Sequence, residues 1–289
     1  MAQQWDEEPL TRRQVLRKGM KAGWWTLGAT AGYSWLVEPR WIEVVRPVIS
    51  IKNLPPSFEG LTIGVMADFH FGSWISPEEV QGACRTMMEL KPDLIALPGD
   101  FIQRGWEHEI PTMEAGIRGL SAPLGVYAVF GNHDHYGPVR KLSKRLEGMG
   151  YRVLMNEAVH FVRDGGRLWL CGTDDLRYGV YLPQKALGGL PPDEPRIMLQ
   201  HTPDAAEELD PLWRVDLAIS GHMHGGQGWP MALIPGVVPS RYGIKFARGL
   251  VQGKGHRVYV TRGIGGQGPG RPRLFSRPEI TFMTLVRGT

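Results

Sequence analysis

"VDLAISGHMHGGQ", residues 215–227, runs from an apolar segment straight into two histidines and three glycines. Val215–Ile219 has the length and composition of a buried strand. His222 and His224 follow it, one residue apart. In an extended segment, residues i and i+2 point to the same side. Two imidazoles then aim at one place, and the glycines around them permit left-handed or crowded backbone. This strand end reads as a metal clamp.

Other segments repeat the plan. "LTIGVMADFHFG" ends in Asp68 and His70, and "PDLIALPGDF" ends in Asp100. "GVYAVFGNHDH" ends in Asn132, His133, Asp134 and His135, and "RIMLQHTPD" adds His201. Open α/β sheets place their sites at the carboxyl ends of the strands. Collected there, these residues supply too many oxygen and imidazole ligands for one tetrahedral zinc. They suit two divalent metals sharing a carboxylate. Imidazole with carboxylate accommodates Mn, Fe, Zn or Ni. His108, His160 and His256 stand outside the pattern and read as ordinary core or surface residues. Asp174 and Asp175 in "GTDD" read as turn residues.

Helices are expected between the strands. Ser76–Leu90 opens on Ser76 with Glu79 three residues on, a capping-box pattern. A second helix is expected near Pro111–Leu120, and a third at Val139–Met149 behind Pro138. After Gly150 strands come in quick succession, with a hairpin signal at "RDGGR". The expectation is one α/β domain over residues 41–289 with mixed strand directions.

The 289 residues are 42% hydrophobic and 21% charged, ordinary values for a soluble globular protein. Cys84 and Cys171 share no metal-ligand spacing and read as two buried free thiols. The net charge of +4 hides an asymmetry: residues 241–289 hold ten basic side chains and one acid, Glu279. That imbalance suggests an anionic partner, either a phosphorylated small molecule or lipid, or a membrane surface. No base-stacking element accompanies it, so nucleic acid is not expected, although a nuclease would use the same chemistry. No feature predicts a protein partner. "GIGGQG", residues 263–268, fits a dinucleotide fingerprint after a strand, but Pro269 and Pro272 oppose the helix that must follow. It reads as a Gly-rich loop at a substrate entrance, with Arg271 as a phosphate contact.

Residues 1–40 read as a targeting segment or anchor. "TRRQVLRKGMK" precedes 16 uncharged residues, Ala22–Val37, flanked by Trp24, Trp25 and Trp35. That run is short for a membrane span. "TRRQVLR" resembles the twin-arginine export signal, and "ATA" at residues 29–31 offers a small-residue cleavage site. The positive-inside bias places the rest of the chain outside the cytoplasm, in a bacterial cell envelope.

The blocks D-x-H, G-D, G-N-H-D, H and G-H-x-H, in order from Asp68 to His224, resemble the calcineurin-like metallophosphoesterase superfamily. "NLPPSFEG", "GHMHGGQ" and "RPEI" extend the likeness to its bacterial branch of twin-arginine-exported or membrane-associated phosphodiesterases. The resemblance implies a four-layer αββα sandwich with a dinuclear site at the strand carboxyl ends. It implies one metal on Asp68, His70, Asp100 and His224, and another on Asp100, Asn132, His201 and His222. Asp100 would bridge, and His133 would serve the leaving group as a non-ligand. The implied reaction is hydrolysis of a phosphodiester or pyrophosphate by hydroxide from a water shared by both ions. An alternative within the superfamily is UDP-2,3-diacylglucosamine pyrophosphatase of lipid A synthesis. From another class comes a non-catalytic metal-binding scaffold, which would be expected to have lost ligands. The protein-phosphatase members carry an Asp three residues after the bridging Asp to orient the catalytic His. Gln103 stands there in this chain, while Arg104 is retained as a phosphate contact.

Overall fold

The computed structural model describes residues 11–103, 107–227, 238–268 and 270–288. Its strands, in chain order, are β1 (Glu43–Val45), β2 (Val48–Lys52), β3 (Thr62–Val65), β4 (Leu94–Leu97), β5 (Val126–Ala128) and β6 (Arg152–Val153). They continue as β7 (Glu157–Arg163), β8 (Gly166–Gly172), β9 (Arg196–Leu199), β10 (Leu217–Ser220), β11 (Gly249–Gln252), β12 (Arg257–Val260) and β13 (Glu279–Gly288). The helices are α1 (Arg12–Gly32), α2 (Pro77–Leu90), α3 (Ile110–Ile117), α4 (Val139–Gly148), α5 (Pro183–Leu187) and α6 (Ala205–Glu208).

Two sheets form. The first runs β13-β3-β4-β5-β6, with β1 and β2 both on the far side of β13. Strands β3 to β6 are mutually parallel, and β13 is antiparallel to β3. The second runs β11-β12-β10-β9-β8-β7, parallel through its centre from β12 to β8. The carboxyl ends of β3, β4 and β5 therefore lie side by side, as do those of β9 and β10.

Alternation along the strands sets the layers. Ile63, Val65, Leu94 and Ala96 face Ile197, Leu199, Leu217 and Ile219 in a core between the sheets. Ile95 and Leu97, one residue out of step, join Val80, Met87, Met113 and Leu142 in a core under α2, α3 and α4. On the far face of the second sheet, Met198, Ala218 and Val258 pack with Ala186 and Leu187 of α5, Ala206 of α6, and Phe246. Helix, sheet, sheet, helix is the order of the layers, a period-two reading of each central strand made solid.

The local signals hold. Ser76 accepts the Glu79 N–H while the Glu79 carboxylate accepts the Ser76 N–H, which caps α2 on both sides. The β7–β8 hairpin turns on Asp164 and Gly165, whose φ angles of 46° and 75° are those of a type I′ turn. Cys84 and Cys171 are free and buried. Helix α1 opens on a capping box at Thr11 and buries no residue. Among the described residues, no helix is long and apolar enough to cross a membrane.

Candidate metal centre

β3 stops at Val65, β4 at Leu97 and β10 at Ser220, so the expected ligands all lie just beyond regular strand. The extended backbone expected to aim Asp68 with His70, and His222 with His224, is replaced by something tighter. Asp68, His70, Asp100, His222 and His224 have φ of 55°, 50°, 56°, 75° and 49°. Left-handed backbone costs a non-glycine residue about 1–3 kcal/mol, so the surroundings must impose it. The Asp134 carboxylate accepts the N–H groups of Asp100, Phe101, Ile102 and Gly131, tying the β4 and β5 loops together. The Asp68 carboxylate accepts the His222 N–H at 2.9 Å and 3.1 Å, tying one sheet to the other. Gly131 makes room for Asp100: a Cβ there would fall 2.2 Å from its Oδ1.

The ligand atoms form two groups that meet at Asp100. In one, His201 Nε2 lies 3.2 Å from Asp100 Oδ2, 3.1 Å from Asn132 Oδ1 and 3.1 Å from His222 Nδ1. His201 Nδ1 donates to the Pro98 carbonyl at 2.7 Å, and His222 Nε2 donates to the Pro239 carbonyl at 3.0 Å. Those bonds fix both tautomers, because a carbonyl only accepts. In the neutral rings the inward nitrogens then carry the lone pairs. Four acceptors turned on one point repel one another unless a cation sits among them. In the other group, His70 Nε2 lies 3.1 Å from His224 Nε2 and 3.5 Å from Asp100 Oδ2. Asp68 Oδ1 lies 4.0 Å from His224 Nε2. Asp100 Oδ2 faces both groups and accepts no hydrogen bond among the described residues.

Burial and charge compete here. Burial alone would lower His201, but the Asp100 carboxylate overrides it and lifts the imidazole to about 10. Burial likewise opposes ionisation of Asp100, yet His201 and His133 hold it well below the usual carboxylate range. Burial pushes Asp68 up to about 7 and pulls His70 down to about 3. It takes His222 to about 4, with His201 adding to the effect. The Asp100–His201 pair thus holds one proton where a divalent cation would satisfy all the acceptors at once. A set of carboxylate, imidazole and amide oxygen fits two such ions.

All seven expected ligands come together, buried. His133 sits beside them, its N–H on Asp100 Oδ1 at 2.9 Å and its ring centroid 4.7 Å from that of His70. Arg104 lies outside the described residues. Arg271 is buried, with its guanidinium on the Glu79 carboxylate. Asp174 and Asp175 brace the neighbouring loops, as turn residues would. Asp174 pairs with His135 at 2.6 Å, and Asp175 accepts the Thr202 hydroxyl at 2.8 Å.

The sequence did not reveal what three contributors do. Asp134 is one; its signal was the final D of G-N-H-D. The others are Gln227 and Gln267, each the last residue of a "GGQ". Gln227 Nε2 donates to the Gln267 carbonyl at 2.6 Å, and Gln267 N–H donates back to Gln227 Oε1 at 3.0 Å. The Gln267 amide then reaches His133 Nε2 at 3.2 Å. Two copies of one tripeptide were the signal that could have paired them.

Residues 61–226 match the model of the calcineurin-like phosphoesterase family. The chain is 33% identical to the uncharacterized metallophosphoesterase YkuE of Bacillus subtilis, over 96% of this chain and 98% of that one. It is 29% identical to phosphodiesterase YaeI of Escherichia coli, over 93% and 98% of the two. A Danio rerio transmembrane protein with metallophosphoesterase domain is 30% identical over 84% of this chain and 57% of its own length.

Proposed function

The chain belongs to the calcineurin-like phosphoesterase family and is a metal-dependent hydrolase of phosphoester bonds, and from that premise we propose that its substrate is a phosphodiester or pyrophosphate met at a membrane surface. The observation that carries the chemistry is the convergence of the inward atoms of His201, His222, Asn132 and Asp100 on one point, with both outer imidazole nitrogens held by carbonyls. Two divalent ions held at such a centre lower the pKa of water and neutralise phosphate oxygens. The chain's own residues do the rest. Asp100 spans both ligand groups. In its protonated form His133 would give a proton to the departing oxygen, a role worth about 10²–10⁴-fold; in the neutral ring Nε2 accepts from the Gln267 amide. Gln267 holds that edge of the ring in place.

A cavity of about 400 Å³, lined by Met223, His224, Gln227, Val238, Gln267 and Pro272, opens beside His133's partner Gln267. It gives room for an organic group beside the metal centre, which supports a substrate larger than inorganic phosphate. The similarity to a protein named phosphodiesterase supports a diester. Helix α1 supports the membrane. It exposes Trp24 and Trp25 at 75% and 80%, with Met20 and Leu27, next to five cations from Arg12 to Lys21. Tryptophan beside exposed cations suits a headgroup interface. A relative named as a transmembrane protein agrees.

The basic stretch after residue 241 lends less support. Arg241, Lys245, Arg262, Arg271 and Arg277 meet carboxylates. Arg248, Arg257 and Arg273 meet carbonyls. Eight of the ten cations are thus engaged inside the chain. The UDP-diacylglucosamine reading, which asked for a basic lipid-accepting site, becomes an outcome of the test. Purified protein with Mn²⁺ is offered bis-p-nitrophenyl phosphate and UDP-2,3-diacylglucosamine. Hydrolysis of the simple diester supports the diester form of the proposal; UMP release with the diester untouched supports its pyrophosphate form, as the pyrophosphatase of lipid A synthesis; hydrolysis of neither overturns it. An envelope location goes with α1, and protease accessibility in intact spheroplasts tests it.

A further inference from the structure

After α1 the chain runs as two short helical turns, Tyr33–Val37 and Glu38–Arg40, before entering β1. A mere connector would keep its charges in water. Here Glu38 is 1% exposed, and its carboxylate accepts the N–H of Ser276. The Ser34 carbonyl accepts the Arg273 N–H at 2.9 Å. The Trp35 indole lies so close to Gly270 that a Cβ there would fall 2.6 Å from a ring carbon. Arg40 reaches Glu79 at 3.6 Å, the carboxylate that also holds Arg271.

The loop gripped in this way follows β12 and backs one half of the metal centre. Arg273 is fully buried and, among the described residues, makes no carboxylate hydrogen bond. Its guanidinium donates to the carbonyls of Gly265 at 3.0 Å, Ser276 at 2.9 Å and Arg262 at 2.9 Å. The Gly265 N–H donates to the Asp68 carbonyl at 2.8 Å. The Ser276 hydroxyl donates to the His224 carbonyl at 2.5 Å. This last bond matters because the Nδ1 of His224 has no partner among the described residues. With nothing bonded behind the ring, the backbone must set where Nε2 points.

We propose that Glu38 is a positioning residue of the metal centre. It fixes Ser276, Ser276 fixes the His224 backbone, and His224 with Asp68 and His70 holds one of the two ions. The amino-terminal segment is then part of the active site and not only its tether. The inference rests on the metallophosphoesterase reading. Outer partners of metal ligands typically change affinity by about 10–100-fold.

The test is Mn²⁺ titration of the metal-free full chain, with the thermal midpoint measured alongside. Wild type is expected to take two ions. Glu38→Ala is expected to weaken one of them about tenfold or more and leave the other unchanged. Glu38→Gln, which keeps an acceptor oxygen, is expected to restore it. Ser276→Ala should reproduce the Glu38→Ala loss, and the double variant should lose no more than either. A folded Glu38→Ala that binds both ions like wild type overturns the proposal while the family reading stands. If Glu38→Ala does not fold, Ser276→Ala decides, and unchanged binding there overturns it equally. A wild type that takes up no Mn²⁺ overturns both.

Discussion

The two halves of the metal centre are held by different means. The half built on Asn132, His201 and His222 is held from behind its rings: the Pro98 and Pro239 carbonyls grip the outer nitrogens and leave no choice of tautomer. The half built on Asp68, His70 and His224 has no such grip, because neither Nδ1 is bonded among the described residues. Its rings are placed by left-handed backbone and by the loop from Arg262 to Ser276. An imidazole can be aimed through its far nitrogen or through its own main chain. The first method is local to the strand ends; the second makes the site depend on distant segments.

Removing the shared member should abolish the distinction. Asp100→Ala is expected to retain neither ion by elemental analysis, with turnover at the uncatalysed level; one retained ion would show that the halves are independent. His133→Ala removes no expected ligand and keeps the main-chain N–H on Asp100. It should keep both ions and lose about 10²–10⁴-fold in kcat, and an unchanged kcat would remove His133 from proton transfer. Asp134→Asn turns an amide N–H₂ toward four buried donors that bind both the β4 and β5 loops. A loss of about 3 kcal/mol in urea unfolding of the metal-free protein is expected, and a loss near zero would leave the left-handed backbone unexplained.

Acidity separates the halves more finely. The folded His201 pKa, about 10, lies above its ordinary 6.5. Its proton therefore stabilises the metal-free fold fully below pH 6.5, and that contribution disappears as pH rises through about 10. A metal must displace this proton, so affinity in the His201 half should rise about tenfold per pH unit up to about 10. In the other half, burial keeps His70 and His224 neutral, and Asp68 is ionised above about 7. Its affinity should be flat above pH 7. Calorimetry from pH 7 to 9 reads both slopes, and equal slopes would contradict the contrast. The smallest effect belongs to Gln267→Ala, which should lower kcat within about tenfold and leave metal binding untouched. A loss of metal instead would make Gln267 a brace of the ligands.

Much of this was legible in the sequence. Apolar runs ending in Asp, Asn and His placed the ligands at strand ends, because a period-two pattern cannot hide where it stops. Ser76 with Glu79, and Asp164 with Gly165, announced a cap and a turn through their local chemistry. What stayed hidden was long-range. Glu38 lies inside the stretch read as a targeting segment or anchor, and only the fold brings it to Ser276, 238 residues away. Gln227 and Gln267 meet across 40 residues. The left-handed φ values were misread as extended because i, i+2 spacing looks the same for both. The basic excess after residue 241 looked like a surface, since its carboxylate and carbonyl partners lie mostly elsewhere in the chain.

The central claim is one centre of two ions joined through Asp100, and electron paramagnetic resonance of the protein loaded with Mn²⁺ tests it most directly. The account predicts two Mn²⁺ per chain with the spectrum of a spin-coupled pair. A single ion per chain, or two ions with independent spectra, would contradict it.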